Sequence, residues 1–151
     1  MSTSGRAPDV LLDTSAAVAL SVGDHADHQD TVEALQGRLL GLAGHAAFET
    51  FSVLTRLPPP TRRPPVVVAR LMARNFPASR FLSDEGAAQL FAELSSGEIA
   101  GGSVYDALVG AAAREHGVPL ATHDRRALDT YRVLGVEVVE ILPRGGQSDP
   151  G

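Results

Sequence analysis

The sequence predicts an α/β sandwich in which helices cover a mostly parallel sheet. Short apolar runs that are typical of buried strands alternate along the chain with longer segments of helical character. The 151 residues, 44% of them hydrophobic and 21% charged, suffice for one domain with a substantial core. In such a fold we expect right-handed crossovers between strands, and ligands bound beyond the carboxyl ends of the strands.

Short apolar runs mark the strands of this sheet. The run at 9–13, DVLLD, is apolar until it ends in Asp, as in a buried strand followed by a polar turn. The run at 118–122, VPLAT, has the same character, and three further segments carry enough Leu, Phe, Val or Ile to form short strands. The predicted strands are 9–13, 39–42, 80–82, 118–122 and 136–141.

Capping residues and helix breakers bound the helices between these strands. Asp84 and Ser103 each stand where an N-cap is expected, and Gly117 and Gly135 each stand where a helix should stop. The segment PPPTRRPP at 58–65 is a break that no helix interior tolerates. The predicted helices are 14–22, 24–35, 46–57, 66–75, 84–95, 103–116 and 125–134.

The two ends of the chain differ in composition from the rest. Residues 1–8 and 143–151 are polar and rich in Gly and Pro, so we expect flexible ends around one domain at 9–142. No apolar run approaches the roughly 20 residues of a membrane span. The apolar stretch near the N-terminus is interrupted by Asp13, which argues against a signal peptide. We therefore expect a cytoplasmic protein with no membrane association.

Two residue types are missing from the chain, and their absence excludes several kinds of site. Without Cys there are no disulfides, thiolate metal ligands or Cys nucleophiles. All 13 basic residues are Arg, and the absence of Lys excludes a P-loop and argues against a receiver domain. The net charge of −5 argues mildly against a nucleic-acid partner, because phosphate contacts usually need a basic surface.

Acidic residues follow the predicted strands at one edge of the sheet. Asp13 ends the first strand, and Asp124 follows the strand at 118–122 by two residues, so both lie at the carboxyl edge. Asp106 lies in the first turn of the helix that leads into that strand. Glu49 is a charged residue early on a helix that is otherwise largely apolar. The topology therefore brings at least the three Asp residues to one edge.

Each of these acids also has a purely structural explanation. Asp13 and Asp124 could cap the helices that follow them, and Ser103-x-x-Asp106 matches a capping box. Glu49 could be a solvated charge on a helix surface. Taken one at a time, the structural and the functional explanations of the Asp residues are about equally good, but the structural ones predict no convergence.

Convergence of carboxylates calls for a cation. Two carboxylates about 5 Å apart repel by roughly 3 kcal/mol at an effective dielectric of about 20. Hard oxygen ligands of this kind suit Mg²⁺ or Mn²⁺. A metal held there can activate water and stabilise the charge that develops on a phosphodiester.

Four segments, taken in order, resemble a known family. They are LLDTSAAVAL at 11–20, AFETFSVLTRLP at 47–58, GGSVYDALVGAAAREHGVPLATHDRRAL at 101–128 and VLGVEVVEI at 133–141. Each is weak alone, but the ordered set covers most of the chain and is similar to the PIN-domain family, specifically to VapC-type toxins of bacterial toxin–antitoxin pairs. The resemblance implies a three-layer sandwich with helices on both sides of a mostly parallel sheet.

The resemblance also implies roles for the acids. Asp13, Glu49 and Asp106 match the core acids of the family, and Asp124 matches a fourth acidic position that varies more in type. All four are catalytic candidates. Asp13, Asp106 and Asp124 are the expected ligands of Mg²⁺ or Mn²⁺.

Four further residues near the acids are candidates for supporting roles. By the resemblance, Thr14, Ser15 and Thr122 match positions whose hydroxyls support the acids or the attacking water. Arg125 directly follows the fourth acid and is a candidate for contact with RNA phosphate or with a partner chain.

The implied activity is metal-dependent cleavage of RNA. The family further implies a homodimer and a VapB-type antitoxin that covers the site. Two alternatives stay open: a PIN nuclease of RNA processing that is not a toxin, and a PIN module that binds RNA or a partner without cutting. The prolines and arginines of 58–65 depart from the family pattern.

Overall fold

A four-stranded sheet lies between helices in residues 5–141, the part of the chain that the computed structural model describes. Of the ends predicted to be flexible, residues 1–4 and 143–151 lie outside the described residues. The strands are β1 (Val10–Leu12), β2 (Leu40–Leu42), β3 (Leu120–Thr122) and β4 (Val138–Glu140).

All strand pairs in this sheet are parallel. The order across the sheet is β2-β1-β3-β4, so β1 is an inner strand with β2 and β3 as neighbours. Leu12 is aligned with Leu42 of β2 and with Ala121 of β3. The carboxyl ends of the three strands therefore meet at one edge, and the predicted parallel arrangement is confirmed.

Seven helices surround the sheet in the described residues. No helix among them is both long and apolar enough to cross a membrane. The helices are α1 (Thr14–Ser21), α2 (His28–Leu35), α3 (Ala46–Thr55), α4 (Pro65–Asn75), α5 (Asp84–Ser96), α6 (Ser103–His116) and α7 (Leu128–Val133).

The core consists of separate clusters on the two faces of the sheet. Successive strand residues point to opposite faces. Val10 and Leu12 of β1 accordingly pack in one cluster with residues of α1 and α2, including Ala17. Leu11 packs in the other cluster with residues of α6 and α7, including Val109. A third cluster joins α5 to the outer side of α6. The three-layer sandwich implied by the sequence is thus confirmed.

Two helices begin later than predicted. The sequence predicts helix from Asp24, but α2 begins at His28, because His25 Nδ1 accepts the Asp27 N–H at 3.0 Å and the chain forms turns there. The sequence also predicts helix from residue 125, but α7 begins at Leu128. There the Asp124 carboxylate accepts the Arg126 N–H at 2.9 Å and holds a turn instead. Local side-chain bonds of this kind compete with helix formation.

The strand predicted at 80–82 is reduced to a single bridge between Ala43 and Arg80. The chain does follow the outer edge of β2, since the Arg80 N–H donates to the Leu42 carbonyl at 3.1 Å. The Leu42 N–H, however, donates to the Ser79 hydroxyl at 2.9 Å, so a side chain takes the place of a ladder partner. The approach is close, because a Cβ at Gly41 would overlap the Ala78 carbonyl.

The predicted caps are corrected in two places. Ser83, not Asp84, caps α5, because its hydroxyl accepts the Gly86 N–H at 2.9 Å. The helix α6 has no side-chain cap, so the capping box from Ser103 to Asp106 does not form. That outcome removes the structural explanation of Asp106. The predicted stop after α6 is confirmed, since Gly117 adopts a φ of 65° that other residues rarely reach.

Candidate active site

The four predicted acids approach one another at the carboxyl edge of the sheet. Asp13 directly follows β1, and Asp124 follows β3 by two residues. Glu49 lies on the first turn of α3, and Asp106 lies on the first turn of α6. Two of the acids therefore follow neighbouring parallel strands, and the other two begin helices.

Asp13 is the most buried of the four acids, with only 4% of its surface exposed. Its Oδ1 accepts hydrogen bonds from the Ser15 hydroxyl at 2.6 Å and from the Ala16 N–H at 3.0 Å, the second of which caps α1. Its Oδ2 accepts from the Tyr131 hydroxyl at 2.9 Å. Burial raises the pKa of Asp13, and these hydrogen bonds oppose the rise. The structural and functional explanations of Asp13 are therefore compatible.

The hydroxyls of Ser15 and Thr122 connect this carboxylate to the loop that carries Asp124. The Ser15 hydroxyl donates to Asp13, and the Thr122 hydroxyl oxygen lies 3.4 Å from the Ser15 hydroxyl oxygen. The Ser15 oxygen also accepts the His123 N–H at 3.0 Å, and the Thr122 oxygen accepts the Asp124 N–H at 2.9 Å. This network fixes the position of Asp124 relative to Asp13.

Glu49 is held from two sides. The Thr14 hydroxyl donates to its Oε2 at 3.0 Å. Its Oε1 lies 3.2 Å from Nε2 of His45, one helical turn earlier. Its side chain is partly exposed, so it faces the open side of the cluster rather than the core.

Asp106 experiences the charge of the whole cluster. Burial raises its pKa to about 6, and the negative charges of Asp124, Asp13 and Glu49 add to the rise. Arg126 opposes it with the positive charge of an exposed side chain. The repulsion within the cluster is therefore only partly offset by the protein itself.

These acids are not assembled as a finished metal site. Among the described residues, no three His, Asp or Glu side chains are close enough together to hold a metal ion as they stand. The chemistry of the donors nevertheless fits a hard divalent cation, because four carboxylates share one edge and repel each other. Asp13 Oδ1 already accepts two hydrogen bonds from the protein, whereas Asp13 Oδ2 accepts one, from Tyr131.

Arg125 does not reach the acids in this arrangement. Its guanidinium lies 3.7 Å from the Glu140 carboxylate at the end of β4, and most of its side chain is exposed. Contact of Arg125 with RNA or a partner stays a prediction.

Two residues of the site were missed in the sequence. Tyr131 lies on α7, and its contact with Asp13 spans 118 positions, so no local pattern reveals it. Burial, followed by the charge of Asp13, raises the pKa of the Tyr131 hydroxyl, which therefore stays a donor. His45 could have been found, because a His four residues before a Glu on a helix is a visible pair.

We expect Tyr131→Phe to lower the free energy of unfolding by about 1.5 kcal/mol, since a buried hydrogen bond to a charged group is lost. The ring fits the same space, so the change isolates the hydroxyl. The measurement is urea unfolding at pH 7. Tyr105→Phe is the matched control, because Tyr105 is 54% exposed. Equal unfolding midpoints for the two variants would contradict the assignment.

Comparisons with known proteins agree with this fold. The family model described as PIN domain matches residues 10–133. Ribonuclease VapC27 of Mycobacterium tuberculosis strain H37Rv is 47% identical over 132 residues, which are 87% of this chain and 96% of that protein. Ribonuclease VapC40 of M. tuberculosis strain CDC 1551 is 44% identical over 128 residues, which are 83% of this chain and 94% of that protein.

Solved structures share the architecture at low sequence identity. The crystal structure of M. tuberculosis VapC20, a toxin that cleaves the sarcin–ricin loop, superposes with a TM-score of 0.62 at 20% identity, covering 79% of this chain and 92% of that one. VapBC2 from Rickettsia felis, bound to a DNA fragment from its promoter, gives 0.62 at 13% identity, covering 87% and 97%. At these identities the structures establish the fold alone. The family model and the two relatives of 47% and 44% identity show that the chain belongs to the PIN domain family.

Proposed function

We propose that this chain is an Mg²⁺- or Mn²⁺-dependent endoribonuclease and the toxin of a toxin–antitoxin pair. The observation that carries the proposal is the convergence of three carboxylates on a fourth, that of Asp106, in a chain 47% identical to a ribonuclease. Their mutual repulsion is what a divalent cation relieves. The substrate is RNA, by analogy with these relatives.

Asp13, Asp106 and Asp124 are the residues that would hold the cation. When bound, it would supply Lewis-acid chemistry, that is, easier deprotonation of water and compensation of negative charge on the phosphate. Asp13 is fixed in place by α1 and by Tyr131. Asp124 is fixed by the Thr122 hydroxyl and by the turn that follows.

Glu49 has a different place in the reaction. It is held by Thr14 and His45 and is partly exposed, so its carboxylate can take a proton from water that approaches from the open side. Thr14 donates a hydrogen bond to Glu49, and Ser15 donates one to Asp13. The two adjacent hydroxyls therefore hold these acids in place relative to each other. These contacts restrict the motion of the acids, which favours a productive geometry for in-line attack.

The proposal includes partners for this chain. A VapB-type antitoxin would cover the site, and two copies would form a homodimer, as expected for a VapC-type toxin. Solved structures of similar fold include FitAB bound to a DNA fragment. Growth arrest on expression, relieved by co-expression of a VapB-type antitoxin, is the expected result. Unimpaired growth together with RNA cleavage in vitro would favour an RNA-processing nuclease instead.

Purified protein incubated with total RNA and Mn²⁺ is expected to release defined fragments, and EDTA is expected to stop the reaction completely. Removal of the cation leaves the carboxylates repelling one another and the phosphate. The measurement is gel electrophoresis with mapping of fragment ends. Addition of Mg²⁺ or Mn²⁺ in excess over EDTA should restore cleavage. Fragments that form equally in EDTA would refute metal dependence.

A further inference from the structure

A group of exposed aromatic side chains adjoins the acid cluster. The chain has only five Phe and two Tyr residues. Three of these lie together on the surface, namely Phe48, which is 66% exposed, Phe81, which is 49% exposed, and Tyr105, which is 54% exposed. Exposure of large apolar rings to water is unfavourable in free energy. Together the three rings form one continuous surface.

His45 and these three rings form the aromatic platform. The rings of His45 and Tyr105 stack, with centroids 5.4 Å apart and planes 25° from parallel. Phe48 lies 6.5 Å from His45 and 6.1 Å from Phe81, in tilted arrangements. The stacked and tilted contacts hold the rings in place while their outer faces stay exposed.

The aromatic platform is continuous with the proposed active site. His45 contacts the Glu49 carboxylate, and Phe48 directly precedes Glu49 on α3. Tyr105 directly precedes Asp106 on α6. The first turns of two helices thus carry both an acid and an exposed ring, so the platform adjoins the acids.

We propose that the aromatic platform stacks the bases of a single-stranded RNA segment next to the phosphate that is cut. This inference rests on the proposed function. Every base offers a flat, neutral face, and stacking on aromatic side chains is a general way of binding single strands. The acids repel the anionic backbone, and the net charge of −5 leaves little general attraction for phosphate. Stacking supplies binding that does not depend on charge.

A second copy of the chain is a poorer occupant of this surface. Pairing the aromatic platform with its own copy would bring two clusters of carboxylates towards each other. Like charges that face each other across an interface are unfavourable. A single RNA strand carries its negative charge on the backbone and can turn its bases to the rings.

The test compares Phe48→Ala with wild type in binding a fluorescent uridine dodecamer in EDTA, followed by anisotropy. We expect about tenfold weaker binding, in the range known for loss of one base-stacking ring. Phe48→Tyr, which keeps a ring, should bind like wild type. Phe91→Ala is the matched control, because Phe91 is 79% exposed on a different helix. Its affinity should change less than twofold.

An abasic dodecamer of the same length identifies the partner of the ring. If Phe48 stacks on bases, Phe48→Ala and wild type should bind the abasic strand equally. A tenfold loss on both strands, equal binding by Phe48→Ala and Phe91→Ala, or no binding by wild type would each overturn the proposal. So would normal RNA binding combined with a shift of Phe48→Ala to a smaller assembly in size-exclusion chromatography, which would assign the surface to a protein.

The two proposals fail in different ways. Wild type that binds the dodecamer but leaves total RNA intact with Mn²⁺ would refute the nuclease and leave the platform standing. Wild type that cuts RNA, while Phe48→Ala binds and cuts equally well, would refute only the platform.

Discussion

Asp106→Asn is expected to reduce RNA cleavage more than about 100-fold, beyond the effect usually seen when a residue that only supports a metal ligand is lost. The change removes one negative oxygen from the proposed cation site and leaves the size of the side chain unchanged. The measurement is the rate of cleavage of total RNA with saturating Mn²⁺. Asp129→Asn is the control, because it removes an equal charge from an exposed position on α7.

The same Asp106→Asn variant should be more stable than wild type when no metal is present. Burial and three neighbouring acids raise the pKa of Asp106 to about 6 in the folded state, above its ordinary value of 3.8. The folded protein therefore loses stability as the pH rises from about 4 to about 6, and the loss persists at pH 7. Because the carboxyl is partly exposed, we expect a gain of only about 1 kcal/mol for the variant.

Urea unfolding in EDTA at pH 4 and at pH 7 measures this effect. The difference between Asp106→Asn and wild type should be small at pH 4 and larger at pH 7. An active variant would contradict the role of Asp106 in the reaction. An inactive variant that is less stable than wild type at pH 7 would contradict the repulsion within the cluster.

Asp13→Ala is expected to abolish cleavage and also to lower the free energy of unfolding by about 2 kcal/mol. The substitution removes the cap of α1, which is worth about 1 kcal/mol. It also leaves the buried Tyr131 hydroxyl without its acceptor, at a further cost of about 1–3 kcal/mol, part of which is offset because a buried charge disappears. Cleavage of RNA and urea unfolding at pH 7 are the two measurements.

Asp13→Asn separates the two roles of this residue. Its amide oxygen can still accept from Ser15 and Ala16, so the variant should be more stable than Asp13→Ala by about 1 kcal/mol and equally inactive. Cleavage by Asp13→Asn at the wild-type rate would remove Asp13 from the site. Equal stability of the two variants would show that the cap contributes little.

The sheet and the edge at which the acids meet could be predicted because both depend on local patterns. Apolar runs that end in a polar residue reveal β1 and β3, and in a parallel sheet their carboxyl ends must meet. This is why Asp13 and Asp124 could be placed at one edge from the sequence, although their roles in catalysis stay predictions. The position of Glu49 beside them depends on how α3 packs, which the resemblance to the family supplied and the pattern of residues did not.

The features that could not be predicted depend on contacts between distant or competing groups. In the sequence, Tyr131 is an aromatic residue of a short helix with no visible partner. Only the packing of α7 against the sheet brings its hydroxyl to Asp13. The starts of α2 and α7 are displaced because His25 and Asp124 bind nearby N–H groups. Ser79 shortens a predicted strand in the same way, with a hydroxyl in place of a carbonyl. The spacing of apolar residues in helices and strands does not reveal where a side chain replaces a backbone group as a hydrogen-bond partner.

The order of the strands has a consequence for the synthesis of this protein. The neighbour of β1 that carries Asp124 begins only at Leu120, and the donor to Asp13 comes later still, 118 positions after it. A growing chain on the ribosome therefore holds Asp13 and Glu49 without the groups that complete their surroundings until those later residues have been made. The four acids and the hydroxyl that holds Asp13 can therefore come together only after the segment from Leu120 to Tyr131 has emerged from the ribosome.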